Sequence, residues 1–259
     1  MRISFFLSTI LGLLILISCS DEEAEPLNAN FEVTAEGDAP NASVTITNSS
    51  TGASSYEWTF SEGAGMETST MANPGTLTIE KAGTFTITLK AMNGGEVKEH
   101  TETLTINGNT AISTYTDLEF ATAPEDPTYG RYFSFNTEQM YLESEITEEN
   151  GSDIHIAFTS YENVMYFFES PDAEKYAIPG APVTEFENTN EDITVEQFDN
   201  MTDDELIDPL TITETNDSFG NSGIPGTVLF KLSDGRKGVI RTKAVNADRL
   251  LVDIKVQKY

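Results

Sequence analysis

Apolar residues recur at every second position along most of this chain, in short runs cut by Gly, Asn, Asp and Pro, as in strands with one buried face. Val44-Thr45-Ile46-Thr47 forms one such run, and Tyr56-Glu57-Trp58-Thr59-Phe60 sets three aromatics on one face. From Thr84 to Ala91 the alternation puts Phe85, Ile87 and Leu89 inward and the threonines and Lys90 outward. Val97 to Ile106 supplies a further strand, joined to it by Asn93-Gly94-Gly95, a turn that favours positive φ. Short alternating strands of this kind predict an antiparallel sandwich, with Trp58, the only tryptophan, plugging its core and not stacking on sugar.

The pattern resumes after a polar connector. Strands are predicted at Tyr132 to Asn136, Asp153 to Thr159, Val164 to Phe168, Thr227 to Leu232, Gly238 to Ala244 and Leu250 to Val256. Phe133 and Phe135 share one face, as do Ile154, Ile156 and Phe158, and Val228, Phe230 and Leu232. Ser233 to Gly238 reads as a hairpin, and the closing strand turns Leu251, Asp253, Lys255 and Gln257 outward. One helical island interrupts the strands: Thr194 followed by Gln197 has capping-box spacing, Thr202-Asp203-Asp204-Glu205 repeats the signal, and Pro209 ends the segment. The expected class is all-β: a β-sandwich over 30–107, a linker over 108–114, and a second β-rich domain over 115–259 with one or two short helices.

The first residues follow neither period. Arg2 precedes an uncharged apolar stretch from Ile3 to Ile17, too short to span a bilayer comfortably and shaped like an export signal over 1–18. It ends in Leu16-Ile17-Ser18-Cys19, which resembles a bacterial lipobox; the resemblance implies that Cys19, the only cysteine, is acylated and holds the protein on a membrane. At about 0.8 kcal/mol per buried methylene, several acyl chains suffice for stable anchoring. Ser20-Asp21-Glu22-Glu23 resembles the acidic signal of Bacteroidetes lipoproteins displayed on the outside of the outer membrane, and residues 19–29 read as an acidic tether.

Within the first sandwich, Phe31, Val44 to Asn48, Ser50-Thr51, Tyr56 to Phe60, Asn73-Pro74 and Gly83 to Leu89 with Asn93 resemble the polycystic kidney disease (PKD) repeat, an immunoglobulin-like module of surface proteins. Thr59, Ser61, Glu62 and Gly63 stand where that family has an Asp after the Trp and a Gly-Asp-Gly turn, so no cation role carries over to the loop. In the second domain Phe133-Ser134-Phe135, Ser170-Pro171-Asp172, the Thr227 to Val239 hairpin and Val252 to Lys258 resemble the C-terminal region of Bacteroidetes surface lipoproteins, which lends no catalytic residues.

Composition narrows the chemistry. The 259 residues carry 43 Asp and Glu against 14 Lys and Arg, a formal charge of −29, which argues against nucleic acid as a partner. A single Cys allows no disulfide and no thiolate metal cluster. Of the two histidines, His100 and His155, one falls in each domain, so no multi-imidazole metal site is available within a domain, and both read as ordinary strand residues. The acids at 196–205 are read as complementing helix dipoles in preference to holding calcium. No nucleophile-elbow, zinc-helix, phosphate-loop or dinucleotide motif occurs, and no cofactor is expected.

Two surfaces remain as candidates. Phe230 to Tyr259 holds eight cations against three carboxylates, a net of +5 in an acidic chain. Lys231, Arg241 and Lys243 there are read either as a basic stripe for an anionic polysaccharide or, the preferred reading, as partners of acidic neighbours across the sheet. Tyr129, Tyr132 and Tyr161, beside loops and strand ends, are candidate stacking contacts. The leading expectation is a non-catalytic, surface-exposed lipoprotein that binds polysaccharide, by architectural analogy an accessory of an outer-membrane glycan transporter complex. An adhesion protein is the alternative, and a hydrolase using two carboxylates the weaker one.

Overall fold

Strand after strand forms where the alternation falls, and in the computed structural model every pairing between named strands is antiparallel. The structure describes residues 25–123 and 126–259; Cys19 and the acidic signal after it lie outside the described residues. In the first module β1 (Phe31–Glu36), β2 (Ala42–Asn48) and β5 (Gly75–Ile79) form one sheet. A second sheet runs in the order β4-β3-β6-β7, from β3 (Ser55–Phe60), β4 (Thr68–Ser69), β6 (Gly83–Asn93) and β7 (Glu96–Ile106). Trp58 is fully buried between the sheets, edge-on to Phe31 at 5.0 Å, and its Nε1 donates to the Met71 carbonyl at 2.9 Å. The β6–β7 turn is the expected Gly94-Gly95, with Gly94 at φ 59°.

The second module is a sandwich of two five-stranded sheets. One is ordered β10-β9-β11-β12-β14, from β9 (Tyr132–Ser134), β10 (Gln139–Tyr141), β11 (Ile156–Tyr161), β12 (Met165–Glu169) and β14 (Phe219–Gly220). The other is ordered β13-β15-β16-β17-β8, from β8 (Ile112–Ala121), β13 (Thr184–Glu187), β15 (Gly226–Leu232), β16 (Lys237–Val245) and β17 (Arg249–Gln257). Between them lies a phenylalanine-rich core in which Phe135 stacks on Phe230 at 5.7 Å and Phe120 meets Phe168 edge-on at 5.3 Å.

Several expectations are revised by packing. β8 begins at Ile112, inside the expected linker 108–114, and pairs with β17 from Ile112↔Gln257 to Ala121↔Arg249. An irregularity beside Asp117 (φ 57°) shifts its inward positions from Tyr115 to Leu118 and Phe120, which hides the strand from a period-two reading. Ile154 leaves the face of Ile156 and Phe158 because a 3-10 turn at Gly151–Asp153 precedes the strand and directs it to a separate cluster with Tyr132 and Ala157.

The closing strand is buried on both faces. Its outward side lies under a layer in which Ile193, Phe198, Met201, Ile207 and Ile212 pack on Leu229 and Val239, so Asp253, Lys255 and Gln257 are buried. Helix α1 (Val195–Asn200) in this layer has the predicted capping box: Gln197 N–H donates to Thr194 Oγ1 at 3.2 Å and Thr194 N–H to Gln197 Oε1 at 2.9 Å. No helix follows Thr202, because the carboxylates there serve other partners. Asp204 accepts from Thr110 N–H at 2.6 Å and Gln257 Nε2 at 2.8 Å, and Asp203 from Asn109 Nδ2 at 3.2 Å.

Candidate functional site

β8 and β17 start and end at the joint with the first module and run about 30 Å to the opposite end of the second, at about 3.3 Å per residue. Loops gather at that far end: the β11–β12 turn, the segment after β14, the β16–β17 turn, and, after β8 and before β9, Thr122 and Tyr129. Tyr166 OH to Asn221 Oδ1 (2.9 Å), Thr122 Oγ1 to the Ala247 carbonyl (2.7 Å) and Arg249 Nη1 to Tyr129 OH (2.6 Å) tie them together. Between them opens a cavity of about 350 Å³ lined by Asn163, Tyr166, Asn221, Val245, Asn246 and Ala247. The side-chain oxygens of Asn163 and Asn246 already accept hydrogen bonds, from Ser160 Oγ and the Asp248 and Arg249 amides, while Tyr166 OH donates to the Asn163 carbonyl at 2.7 Å and lies 2.9 Å from the Asn221 amide. The NH₂ groups of Asn163 and Asn246 carry no hydrogen bond among the described residues, so an uncharged cavity in an acidic protein offers amide donors.

The β11–β12 turn is built by Glu162 and Asn163 at positive φ (52° and 55°), the geometry that matches a tight hairpin to strand twist. Beside it Tyr161, Val164 and Met165 are exposed; Tyr161 reaches 60%. Among the described residues, three of the six exposed large hydrophobics therefore fall within five positions, at the end of the module farthest from the joint. An apolar patch at a loop-rich sandwich end is a common seat of binding.

The outer face of the same hairpin continues the patch. Cross-strand pairing places Tyr161 opposite Met165 and Thr159 opposite the half-buried Phe167. At its base lies Arg131, 9% exposed, whose Nη2 donates to Thr159 Oγ1 at 3.0 Å and whose Nε has no hydrogen-bond partner. Thr159 Oγ1 lies 2.7 Å from Tyr176 OH, and Tyr176 OH donates to Glu169, which Lys175 also holds. Burial, with the bond to Glu169, pushes the Tyr176 hydroxyl far above its ordinary value. It stays protonated and sets the direction of the chain: Tyr176 donates to Glu169, Thr159 to Tyr176, and Arg131 to Thr159.

Of the residues singled out in the sequence, only Tyr161 stands at this surface as an open aromatic face. Tyr132 is buried, edge-on to Tyr176 at 5.7 Å, because its strand lies between β10 and β11 and a covering segment closes over it. Tyr129 is taken up by Arg249, whose guanidinium sits 5.2 Å from its ring.

The basic stripe does not stand free. Lys231 pairs with Glu185 at 2.9 Å, Arg241 with Asp199 and Asp253 at 3.3 and 3.5 Å, and Lys243 with Asp117 and Asp253 at 2.6 and 3.0 Å. Arg236, Lys237, Arg249, Lys255 and Lys258 are engaged as well, by Asp234, the Asp208 carbonyl, Glu119, two helix-end carbonyls and Glu80. Lys231, Arg241, Lys243 and Arg249 pair across the sheet, and all eight meet a carboxylate or a carbonyl, although Arg241 Nε makes no hydrogen bond among the described residues. The sequence did carry one signal for Arg131: it is the only cation between Lys98 and Lys175. The NH₂ donors and Phe167 had none, since turn asparagines and strand phenylalanines are common everywhere.

His155 is buried and accepts from Phe135 N–H at Nδ1 (3.2 Å), while His100 lies against Phe31 and bonds Glu102 at 2.8 Å. Among the described residues no group of three or more His, Cys, Asp or Glu is placed to hold a metal ion. No helix among them is long and apolar enough to cross a membrane.

Fold and site together define a tandem of two antiparallel β-sandwiches with an apolar, donor-lined loop end on the second. Residues 30–106 match the PKD domain family and form a PKD domain. The chain is similar to the PKD1 domain of the Vibrio cholerae metalloprotease PrtV, at 32% identity over 32% of this chain and 98% of that one, with a TM-score of 0.27. It is also similar to a DUF4466 family protein from Parabacteroides merdae, at 13% identity over 91% of this chain and 100% of that one, with a TM-score of 0.46. No curated protein matches the chain.

Proposed function

We propose that this protein is a non-catalytic, cell-surface lipoprotein that binds polysaccharide at the far end of its second module. Cys19 anchors it by acyl chains to the outer membrane, residues 19–29 tether it, and the PKD module spaces the binding end outward, as an accessory of glycan capture. The observation that carries the reading is the clustering of Tyr161, Val164 and Met165 at the end farthest from the PKD module, beside a cavity lined with amide donors. A pyranose offers an apolar C–H face to a tyrosine ring and acceptor hydroxyls to amide donors. Affinity electrophoresis of the mature protein against a polysaccharide panel tests it. At least one glycan should retard migration, and Tyr161→Ala, exposed and neutral to folding, should weaken that binding about tenfold, equivalent to about 1.4 kcal/mol. Absence of retardation by neutral and anionic glycans alike would reject the reading.

Val164 and Met165 favour a second reading, since aliphatic side chains serve a protein partner better than a sugar. Adhesion to another protein would show as binding that Val164→Ser and Met165→Ser abolish and Tyr161→Ala leaves largely intact.

A further inference from the structure

Arg131 is a nine-tenths-buried cation that no carboxylate touches among the described residues, in a chain with 43 acids. Buried charges are ordinarily paired, because desolvating an ion alone is costly. The contrast within the molecule is sharp. Lys90, Lys98, Lys175 and all eight cations from Lys231 to Lys258 meet a carboxylate or a backbone carbonyl. Lys81, the other described cation without such a partner, lies 5.8 Å from the Tyr259 ring and is not buried. Glu169 reaches Arg131 only through Tyr176 and Thr159, which hold Nη2; Nε is unmatched but sealed from solvent, so a ligand meets the guanidinium at its Nη end.

We infer that Arg131 and the outer face of the β11–β12 hairpin form a seat for an acidic sugar: a uronic acid residue whose carboxylate takes the Arg131 fork while its ring lies on Tyr161 and Phe167. The inference rests on the polysaccharide reading and names its substrate class. A planar guanidinium matches a carboxylate with two parallel N–H bonds, which an ammonium does not. Thr159 and Tyr161 are successive positions on one strand face, about 7 Å apart, so a ligand held at Arg131 beside Thr159 extends over Tyr161. Tyr176, locked protonated against Glu169, keeps the Thr159 hydroxyl oriented to accept from Arg131 and so fixes the fork before the ligand arrives.

The test is affinity electrophoresis of the mature protein at about 0.15 M salt, where charges beyond about 8 Å are screened. Four gels hold polygalacturonate, its methyl ester, a sulfated dextran and a neutral glucan, and a fifth holds polyglutamate. Retardation by polygalacturonate is expected, with at least a tenfold loss of affinity on methyl esterification, in Arg131→Gln and in Tyr161→Ala. Should Arg131→Gln fail to fold, esterification and Tyr161→Ala decide alone. Equal retardation by the ester or the neutral glucan overturns the acidic-sugar assignment and leaves the polysaccharide reading standing. Retardation by sulfated dextran and not polygalacturonate overturns the carboxylate assignment. Binding of polyglutamate alone, or of nothing, overturns both.

Discussion

A histidine whose ring nitrogen accepts a backbone amide has one useful protonation state. Burial is the main cause that lowers the His155 pKa, with Arg236 nearby as a second, and the Phe135 N–H bond at Nδ1 needs the lone pair of the neutral ring. Because the folded value lies below the unfolded one, this stability is complete above about pH 6.5 and is lost as pH falls through the lowered folded value. The second module should therefore lose melting temperature between pH 7 and pH 5. His155→Asn keeps an acceptor near the same position and does not titrate, so its melting curve should shift less over that interval. An identical slope in both proteins would assign the acid sensitivity to the carboxylates instead. The same burial logic separates Tyr132 from Tyr161: both are strand tyrosines in sequence, and only their sheet position decides which one meets solvent.

At the scale of elements, period-two alternation revealed the strands with one clean face: β2, β3, β6, β15 and β17 stand within two residues of their predicted ends. It named no strand at β1, β4, β5, β10 or β14, and it missed β8, where the irregularity at Asp117 breaks the period, and β13, four residues long with Glu185 and Glu187 on one side. The candidate site was legible only in Tyr161, since Arg131, Thr159, Phe167 and Tyr176 are brought together by pairings far apart in sequence. Local rules worked best for α1, where the capping box formed as spelled. What no local rule showed is the other end of that helix. Lys255 Nζ, from β17, donates to the Phe198 and Met201 carbonyls at 2.7 and 2.8 Å and lies 4.8 Å from the Phe198 ring, at the negative end of the helix. Thr194→Ala should cost about 1 kcal/mol, and Lys255→Met, which leaves two carbonyls unmatched, about 1–3 kcal/mol. Urea unfolding separates the modules, because Trp58 is the only indole and lies in the first: both substitutions should move the far-UV ellipticity transition and leave the indole transition in place.

At the scale of the molecule, presenting the far end outward depends on how the two sandwiches are joined. The connector is short and strapped on several sides. Ala111 N–H donates to the Glu80 carbonyl at 2.7 Å, Lys258 N–H to the Ala111 carbonyl at 3.0 Å, and Thr110 N–H to Asp204 at 2.6 Å. The Glu80 carboxylate, from the first module, receives the last two residues of the chain, Lys258 Nζ and Tyr259 OH. The Lys258 bond lowers the Glu80 pKa and raises that of Lys258. The Glu80 contribution is thus present above its unfolded value, near 4.5, and lost as pH falls through the lowered one. That of Lys258 is present below its unfolded value, near 10.5, and lost as pH rises through the raised one, so the clamp is complete at neutral pH. Both side chains are partly exposed, so the ion pair alone adds little to stability, and its effect should appear in geometry instead. Glu80→Gln should raise the radius of gyration in small-angle scattering and speed proteolysis at residues 107–111, with little change in the unfolding of either sandwich. Binding at the far end should keep its affinity in solution, since Tyr161 and Arg131 lie at the opposite end of β8 and β17. If scattering and cleavage stay as in the wild type, backbone pairing at Ala111 suffices to hold the joint and the chain's last two residues are not its clamp.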